Sequence, residues 1–99
     1  MNHNHEIREE LRQPALDLRK GIPEVMKAFG ELSRAAMVEG ELSSLTKELI
    51  ALSIAATREC DGCVVAHARG VARHGGTEAQ VAEAMGVVIL MNGGPGTVW

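Results

Sequence analysis

Both cysteines of the 99-residue chain and one of its four histidines lie within eight residues, in the run Cys60-Asp61-Gly62-Cys63-Val64-Val65-Ala66-His67. If this run opens an α-helix, Cys60 and Cys63 are three residues apart and Cys63 and His67 are four apart, so the three side chains share one face. Two sulfurs and an imidazole on one face have three physical uses. They are a redox dithiol with its own base, part of a metal site, or a structural disulfide beside an unrelated histidine.

The chemistry of a dithiol depends on ionisation, because an ordinary cysteine with a pKa of about 8.5 is mostly protonated at neutral pH. The first turn of a helix favours an anion, a neighbouring thiol can hydrogen-bond to a thiolate, and His67 can take the proton of Cys63. Proximity to the helix start alone favours Cys60 as the activated thiol. The histidine one turn later favours Cys63.

Glu48 is the fourth candidate, on the helix that precedes the cysteines. If the helices on either side of Glu59 fold back on each other, Glu48 lies roughly 16 Å from the turn and His67 roughly 12 Å, at about 1.5 Å per residue. This similar height predicts a hydrogen bond between the two side chains, direct or through one water. A Glu-His pair behind a pair of cysteines can act as a proton relay.

The elements that must position these residues are five helices, each indicated by apolar residues at intervals of three and four. Pro14 is expected to kink or divide the first helix, Ser43 to cap the third, and Thr77 with Gln80 to form a capping box before the fifth. No strand-like alternation competes with these periods, so the predicted class is all-α. The expected bounds are about 7–21, 22–40, 44–58 and 61–74, with a fifth helix running from the capping box through Met91 and broken by 92–96.

The third helix is apolar nearly all round, with Ile50 and Ile54 as a second stripe, which is typical of a helix buried in the middle of a fold. A single domain over residues 1–99 is expected, with residues 1–6 as a flexible terminus. A chain this short buries only about 60 to 65% of the surface that its unfolded form exposes. We therefore expect a homo-oligomer that completes the core.

Composition argues against several classes of function. Thirteen acidic and ten basic side chains give a net charge of -3, and Phe29 and Trp99 are the only aromatic residues, so nucleic-acid binding is not expected. The apolar run 84–91 is far shorter than the roughly 20 residues that span a bilayer, and the amino terminus is too polar for a signal peptide. We expect a cytoplasmic protein, where a lone Cys-x-x-Cys is more often redox-active or metal-binding than structural.

The pattern Glu48, eleven residues, Cys60, two residues, Cys63, three residues, His67 resembles the signature of AhpD-like alkylhydroperoxidases in the carboxymuconolactone decarboxylase superfamily. The resemblance covers roughly residues 22–99 and includes the segment LSSLTKELIALSIAA and the pair Gly94-Pro95. It implies an all-α fold of about five helices with the Cys-x-x-Cys at the start of the fourth. It also implies assembly by helix packing, with short members as trimers or hexamers.

The resemblance further implies a peroxidase that needs no cofactor. Cys63 would attack a hydroperoxide and become a sulfenic acid, Cys60 would condense with it to a disulfide, and a dithiol such as a lipoyl group would restore the pair. Glu48 and His67 would form the proton relay. On this basis we choose Cys63 as the activated thiol.

Two departures from the family pattern bear on activity. Some AhpD proteins carry a histidine between the cysteines, whereas this chain has Asp61-Gly62, which predicts a simpler relay and weaker peroxidase activity. The larger AhpD proteins contain two related halves and this chain has one, so other subunits would supply the missing contacts.

Alternative functions use the same residues or none of them. Cys60, Cys63, His67 and Glu48 could serve a non-enzymatic module that binds a metal or senses redox state, although one helix face cannot close a tetrahedral site unaided. A scaffold or decarboxylase-like member without peroxidase activity is the other alternative. The decarboxylase branch works without this cysteine pair, so the pair itself favours thiol chemistry.

Overall fold

The computed structural model describes residues 3–92, apart from the side chains of residues 3–5, 7 and 8, and this range is helical with no strand. The predicted all-α class with five helices is confirmed. The chain forms two compact units that divide after Val38, the first with two helices and the second with three. The helices are α1 His3–Gly21, α2 Pro23–Met37, α3 Ser44–Thr57, α4 Asp61–Arg73 and α5 Glu78–Asn92.

In the first unit, a single residue separates α1 from α2. Ile22 leaves the helical region, with φ -137° and ψ 58°, because the ring of the following proline disfavours helical geometry in the residue before it. Pro23 then occupies the first position of α2, where its missing N–H costs nothing. The Met26 N–H donates to the Ile22 carbonyl at 3.0 Å and starts the new helix.

Three predictions about this unit need correction. α1 begins at His3 rather than at Ile7. α1 also continues through Pro14, so of the two outcomes predicted there, a kink or a division, the division is wrong; a proline removes one amide donor, and the hydrogen bonds on either side remain. α2 ends at Met37, three residues before Gly40, where Val38 becomes extended.

In the second unit, α3 begins as predicted at a serine cap. The Ser43 hydroxyl accepts the Thr46 N–H at 3.0 Å, and the Lys47 N–H donates to the Ser43 carbonyl at 3.0 Å as the first helical bond. The Ser44 N–H, at the first position of the helix, donates to the Glu39 carboxylate at 3.1 Å. These contacts fix the start of the helix that carries Glu48.

α3 packs against both α4 and α5 and supplies most of the core of this unit. The buried apolar residues are Leu52, Ala55 and Ala56 of α3, Val71 of α4 and Val88 of α5. The small alanines let the backbones approach closely. The second stripe of α3 is not buried as predicted: Ile50 and Ile54 are 46% and 50% exposed, because within residues 39–92 α4 and α5 pack mainly against the other side of this helix.

The turn from α4 to α5 uses residues suited to it. Gly75 has a φ of 80°, which an amino acid without a Cβ adopts readily, and its N–H donates to Ala72 at 3.1 Å while the Gly76 N–H donates to Val71 at 2.8 Å. The capping box that follows is confirmed. The Thr77 N–H donates to the Gln80 side chain at 2.9 Å, and the Gln80 N–H donates to the Thr77 hydroxyl at 3.1 Å.

None of the helices in the described range is both long and apolar enough to cross a lipid bilayer. A helix break is predicted over 92–96, but Asn92 is still the last residue of α5. Residues 93–96, which include the pair Gly94-Pro95, and Trp99 lie outside the described residues.

Candidate active site

A tight turn between α3 and α4 delivers the chain to the first cysteine. Arg58 caps the carboxyl end of α3, and Glu59 follows with a φ of 54°. The Glu59 N–H donates to Ala56 and the Cys60 N–H to Ala55, both at 3.2 Å. This pair of bonds is the Schellman arrangement, which usually has glycine where Glu59 stands. Sequence reasoning placed the turn here but did not predict its conformation.

Cys60 caps the amino terminus of α4 through its sulfur. Its Sγ accepts the Cys63 N–H at 3.3 Å, the place that a hydroxyl or carboxylate oxygen fills in most helices. The two sulfurs are joined in a Cys60–Cys63 disulfide, with the Cα atoms 5.3 Å apart. Cys60 is half-buried and Cys63 is exposed, so the second cysteine is the more exposed residue of the pair.

The second pair of candidate residues is also in contact. The Nδ1 atom of His67 lies 2.8 Å from Oε1 of Glu48, so the predicted contact between α3 and α4 is present and is direct. Glu48 is 7% exposed, the only buried charged residue of the described chain, whereas the His67 side chain is 34% exposed. Burying a carboxylate is costly without a partner, and the imidazole provides that partner.

The direction of this hydrogen bond decides which nitrogen is free. A carboxylate can only accept, so Nδ1–H of His67 donates to Glu48, and Nε2 is left to accept a proton from another group. His67 lies one turn after Cys63 on α4. From Cys63 through His67 to Glu48, the residues thus run from exposed, through partly exposed, to buried.

A residue that sequence reasoning did not single out lies beneath the carboxylate. Gly70 is buried on α4, and a Cβ built on it would overlap the carboxyl group of Glu48. The available signal was a glycine inside an otherwise helical pattern, three residues after His67, which often has a packing reason.

The residues present are poorly suited to a metal. Within residues 3–92, no group of three or more His, Cys, Asp or Glu side chains is arranged to hold a metal ion. In the disulfide state neither sulfur is a thiolate, which is the form that ligates zinc.

The sequence profile of the carboxymuconolactone decarboxylase family matches residues 23–99. The chain belongs to this family. A solved structure agrees: an apo carboxymuconolactone decarboxylase family protein from Legionella pneumophila is 31% identical with a TM-score of 0.89, over 97% of this chain and 86% of that one. The resemblance read from Glu48, Cys60, Cys63 and His67 is thereby confirmed at the level of the family.

Similar proteins in other bacteria are uncharacterised. One from Cupriavidus necator is 40% identical over 77 residues, which is 78% of this chain and 68% of that protein. Another from Paracoccus denitrificans, named for its place in a cox locus, is 37% identical over 67 residues, or 68% of this chain and 60% of its own length. The family and the fold are therefore known, and the activity is inferred from the site.

Proposed function

We propose that this chain is a thiol-dependent peroxidase and disulfide oxidoreductase that reduces hydroperoxides through the Cys60–Cys63 pair. One observation supports the proposal above all. The disulfide begins the same helix that carries His67 one turn later, and His67 is held by a buried carboxylate. A structural disulfide would need neither the histidine nor the buried Glu48.

The oxidative half of the reaction starts from the reduced dithiol. The Cys63 thiolate attacks the terminal oxygen of the hydroperoxide, the O–O bond breaks, and the alcohol leaves with a proton while Cys63 becomes a sulfenic acid. The Cys60 thiolate then attacks the Cys63 sulfur, the S–O bond breaks, and water leaves. Two thiols and one hydroperoxide become one disulfide, one alcohol and one water.

Glu48 and His67 serve the proton transfers in these steps. The Nε2 atom of His67 takes the thiol proton of Cys63, and the imidazolium returns it to the departing alkoxide. Glu48 holds the ring with Nδ1–H toward itself and stabilises the imidazolium while it exists. This is the part that a buried carboxylate behind a histidine plays in other nucleophilic sites.

The reductive half needs an external dithiol, for which a lipoyl-type group is our candidate. A thiolate attacks the exposed Cys63 sulfur, the disulfide breaks, and Cys60 leaves as a thiolate that the Cys63 N–H already faces at 3.3 Å. The second thiol of the donor then attacks the mixed disulfide and releases Cys63. Because such donors are kept reduced in the cytosol, we propose that the protein acts there.

Rapid mixing of the reduced protein with hydrogen peroxide, and separately with an organic hydroperoxide, tests this proposal. The expected product is a Cys60–Cys63 disulfide, identified by mass spectrometry of the peptide that holds both residues. Cys60→Ser should stop at a sulfenic acid on Cys63, trapped by dimedone, and Cys63→Ser should not turn over. Full turnover by Cys63→Ser, or a wild-type protein inert to both peroxides, would disprove the proposal.

We also propose that the functional form is a homo-oligomer, with a trimer or hexamer as the expected assembly. Large apolar side chains are more than half exposed in the single chain on both units, among them Val25, Phe29 and Leu32 on α2 and Val87, Leu90 and Met91 on α5. Covering them with further copies would remove that surface from water. Light scattering behind gel filtration should give a multiple of the 10.6 kDa chain mass, and a monomer at every concentration would contradict this.

A further inference from the structure

We infer that Gly70 is a positioning residue of this site: its lack of a side chain leaves the space in which the Glu48 carboxylate is held against His67. The inference rests on the proposed function only for its catalytic consequence. The geometry on which it is based is present in the folded chain whatever the reaction.

Gly70 differs from the other helical glycines in what surrounds it. A Cβ added to Gly30, Gly62 or Gly86 would meet nothing within 4 Å. A Cβ added to Gly70 would overlap the carboxyl carbon and both carboxylate oxygens of Glu48. The carboxyl group therefore occupies the volume in which any other residue would place its first side-chain atom.

The same volume is tied to the hydrogen bond with His67. The Glu48 oxygen that accepts from His67 Nδ1 at 2.8 Å is one of the two that a Cβ at Gly70 would overlap. Glu48 and His67 lie on different helices, and His67 lies less than one turn before Gly70. A methyl group at position 70 thus pushes the carboxylate away from the place where it meets the imidazole.

The protein should still fold with alanine at position 70. The overlapping atoms are the far end of a flexible side chain rather than backbone, so Glu48 can turn aside, and alanine suits a helix interior better than glycine. What cannot persist is the present position of the carboxylate. Gly70→Ala is therefore expected to damage the orientation of His67 more than the stability of the protein.

The first test measures that orientation without any turnover. In the oxidised wild-type protein, ¹⁵N chemical shifts of the His67 ring, read through its carbon-bound protons, should report a proton on Nδ1, the atom that lies 2.8 Å from the Glu48 carboxylate. In Gly70→Ala the population should shift toward the form protonated on Nε2. Gly86→Ala, the same substitution in a helix where the Cβ meets nothing within 4 Å, should leave the His67 ring shifts unchanged.

A double-mutant cycle distinguishes competition for space from a general disturbance of α4. In Glu48→Ala there is no carboxyl group for a methyl to displace. Adding Gly70→Ala to that variant should leave the His67 ring shifts and the unfolding midpoint no worse than in Glu48→Ala alone. If Gly70→Ala alone did not fold, a folded double variant would still support the inference, and a double variant that also failed to fold would overturn it.

The catalytic consequence is read from the rate of oxidation of the reduced protein by peroxide. Gly70→Ala should react up to about 100-fold more slowly than wild type, the order expected for a misplaced positioning group, and should still form the disulfide. Unchanged ring shifts in Gly70→Ala would overturn the inference. A wild-type protein that ignored peroxide would remove the proposed function, and the ring measurement on the oxidised protein would still decide the role of Gly70.

Discussion

The second unit contains two turns with the same hydrogen bonds and different residues. In each, the two N–H groups after the helix cap donate back to the last turn, at 3.2 and 3.2 Å between α3 and α4 and at 3.1 and 2.8 Å between α4 and α5. The position that takes a positive φ is Gly75 in the second turn and Glu59 in the first. For any residue but glycine, this left-handed conformation costs roughly 1–2 kcal/mol.

The helices that follow the two turns also begin differently. α5 starts with a reciprocal capping box, in which the Thr77 hydroxyl and the Gln80 side-chain carbonyl each accept the other residue's N–H. α4 starts with a sulfur, Cys60 Sγ, at 3.3 Å from the N–H that it caps. Sulfur is a weaker hydrogen-bond acceptor than oxygen.

The difference separates a turn whose residues are those that stability favours from the turn that leads into the proposed redox pair. Between α4 and α5, local conformational preference and the observed geometry agree at every position. Between α3 and α4, both the positive-φ residue and the cap depart from the residues that stability alone favours, and this is where the disulfide lies. Such departures are commonest at functional sites.

The largest loss of stability is expected when a side chain is added at Gly76, in the turn between α4 and α5. A Cβ there would overlap the buried Val71 side chain and lie 3.0 Å from the Val71 carbonyl oxygen, and neither a β-branched core side chain nor the backbone can easily yield. Gly76→Ala should lower the free energy of unfolding by about 2 kcal/mol, as overpacking does. Urea denaturation at a fixed protein concentration measures this, with Gly86→Ala as the control. A loss no greater than that of the control would refute the packing described for this turn.

A somewhat smaller loss is expected at the positive-φ position of the same turn. No atom lies within 4 Å of a Cβ at Gly75, so Gly75→Ala tests backbone conformation alone. The variant should be about 1 kcal/mol less stable than wild type. Equal stability in urea would mean that the turn does not need glycine. The positive φ of Glu59 would then not count as a departure from the residue that stability favours.

The reverse change at the other turn should have the opposite sign. Glu59→Gly removes the strain of the left-handed residue but adds backbone freedom to the unfolded chain. The net result should be a gain of about 0.5 kcal/mol in the oxidised protein. Thermal denaturation beside Gly75→Ala would show the two turns responding in opposite directions, and a destabilised Glu59→Gly would contradict the comparison.

The smallest effect concerns the sulfur cap. With both proteins reduced, Cys60→Ser places an oxygen where serine is a preferred helix cap. We expect a gain of about a few tenths of a kcal/mol over the reduced wild type, together with loss of disulfide formation. A marked loss of stability on this change would show that the sulfur is needed for structure as well as for chemistry.

Features set by neighbouring residues were predictable from the sequence. The Ser43 cap and the Thr77–Gln80 box depend on pairs three residues apart, and both were found. The approach of Glu48 to His67 followed from helical rise measured from a single turn. The four-residue pattern then identified the family.

Features set by packing were not predictable in the same way. The exposure of Ile50 and Ile54 depends on which helices pack against α3. Their apolar character indicates only that another helix could pack there. Gly70 matters because a carboxyl group from another helix lies on it, and no property of its neighbours in sequence contains that contact. Pro14 inside α1 shows that a local preference can be overridden by the helix on either side.

Single-turnover oxidation of Glu48→Gln is the most direct test of the central claim. The claim is that the buried Glu48 carboxylate and His67 assist proton transfer while hydroperoxide oxidises the Cys60–Cys63 pair. The amide keeps the shape of the side chain but cannot stabilise an imidazolium as a carboxylate does. We predict that the reduced variant forms the same Cys60–Cys63 disulfide with hydroperoxide, at a rate about 10- to 100-fold lower than wild type. A rate equal to that of wild type would contradict the claim.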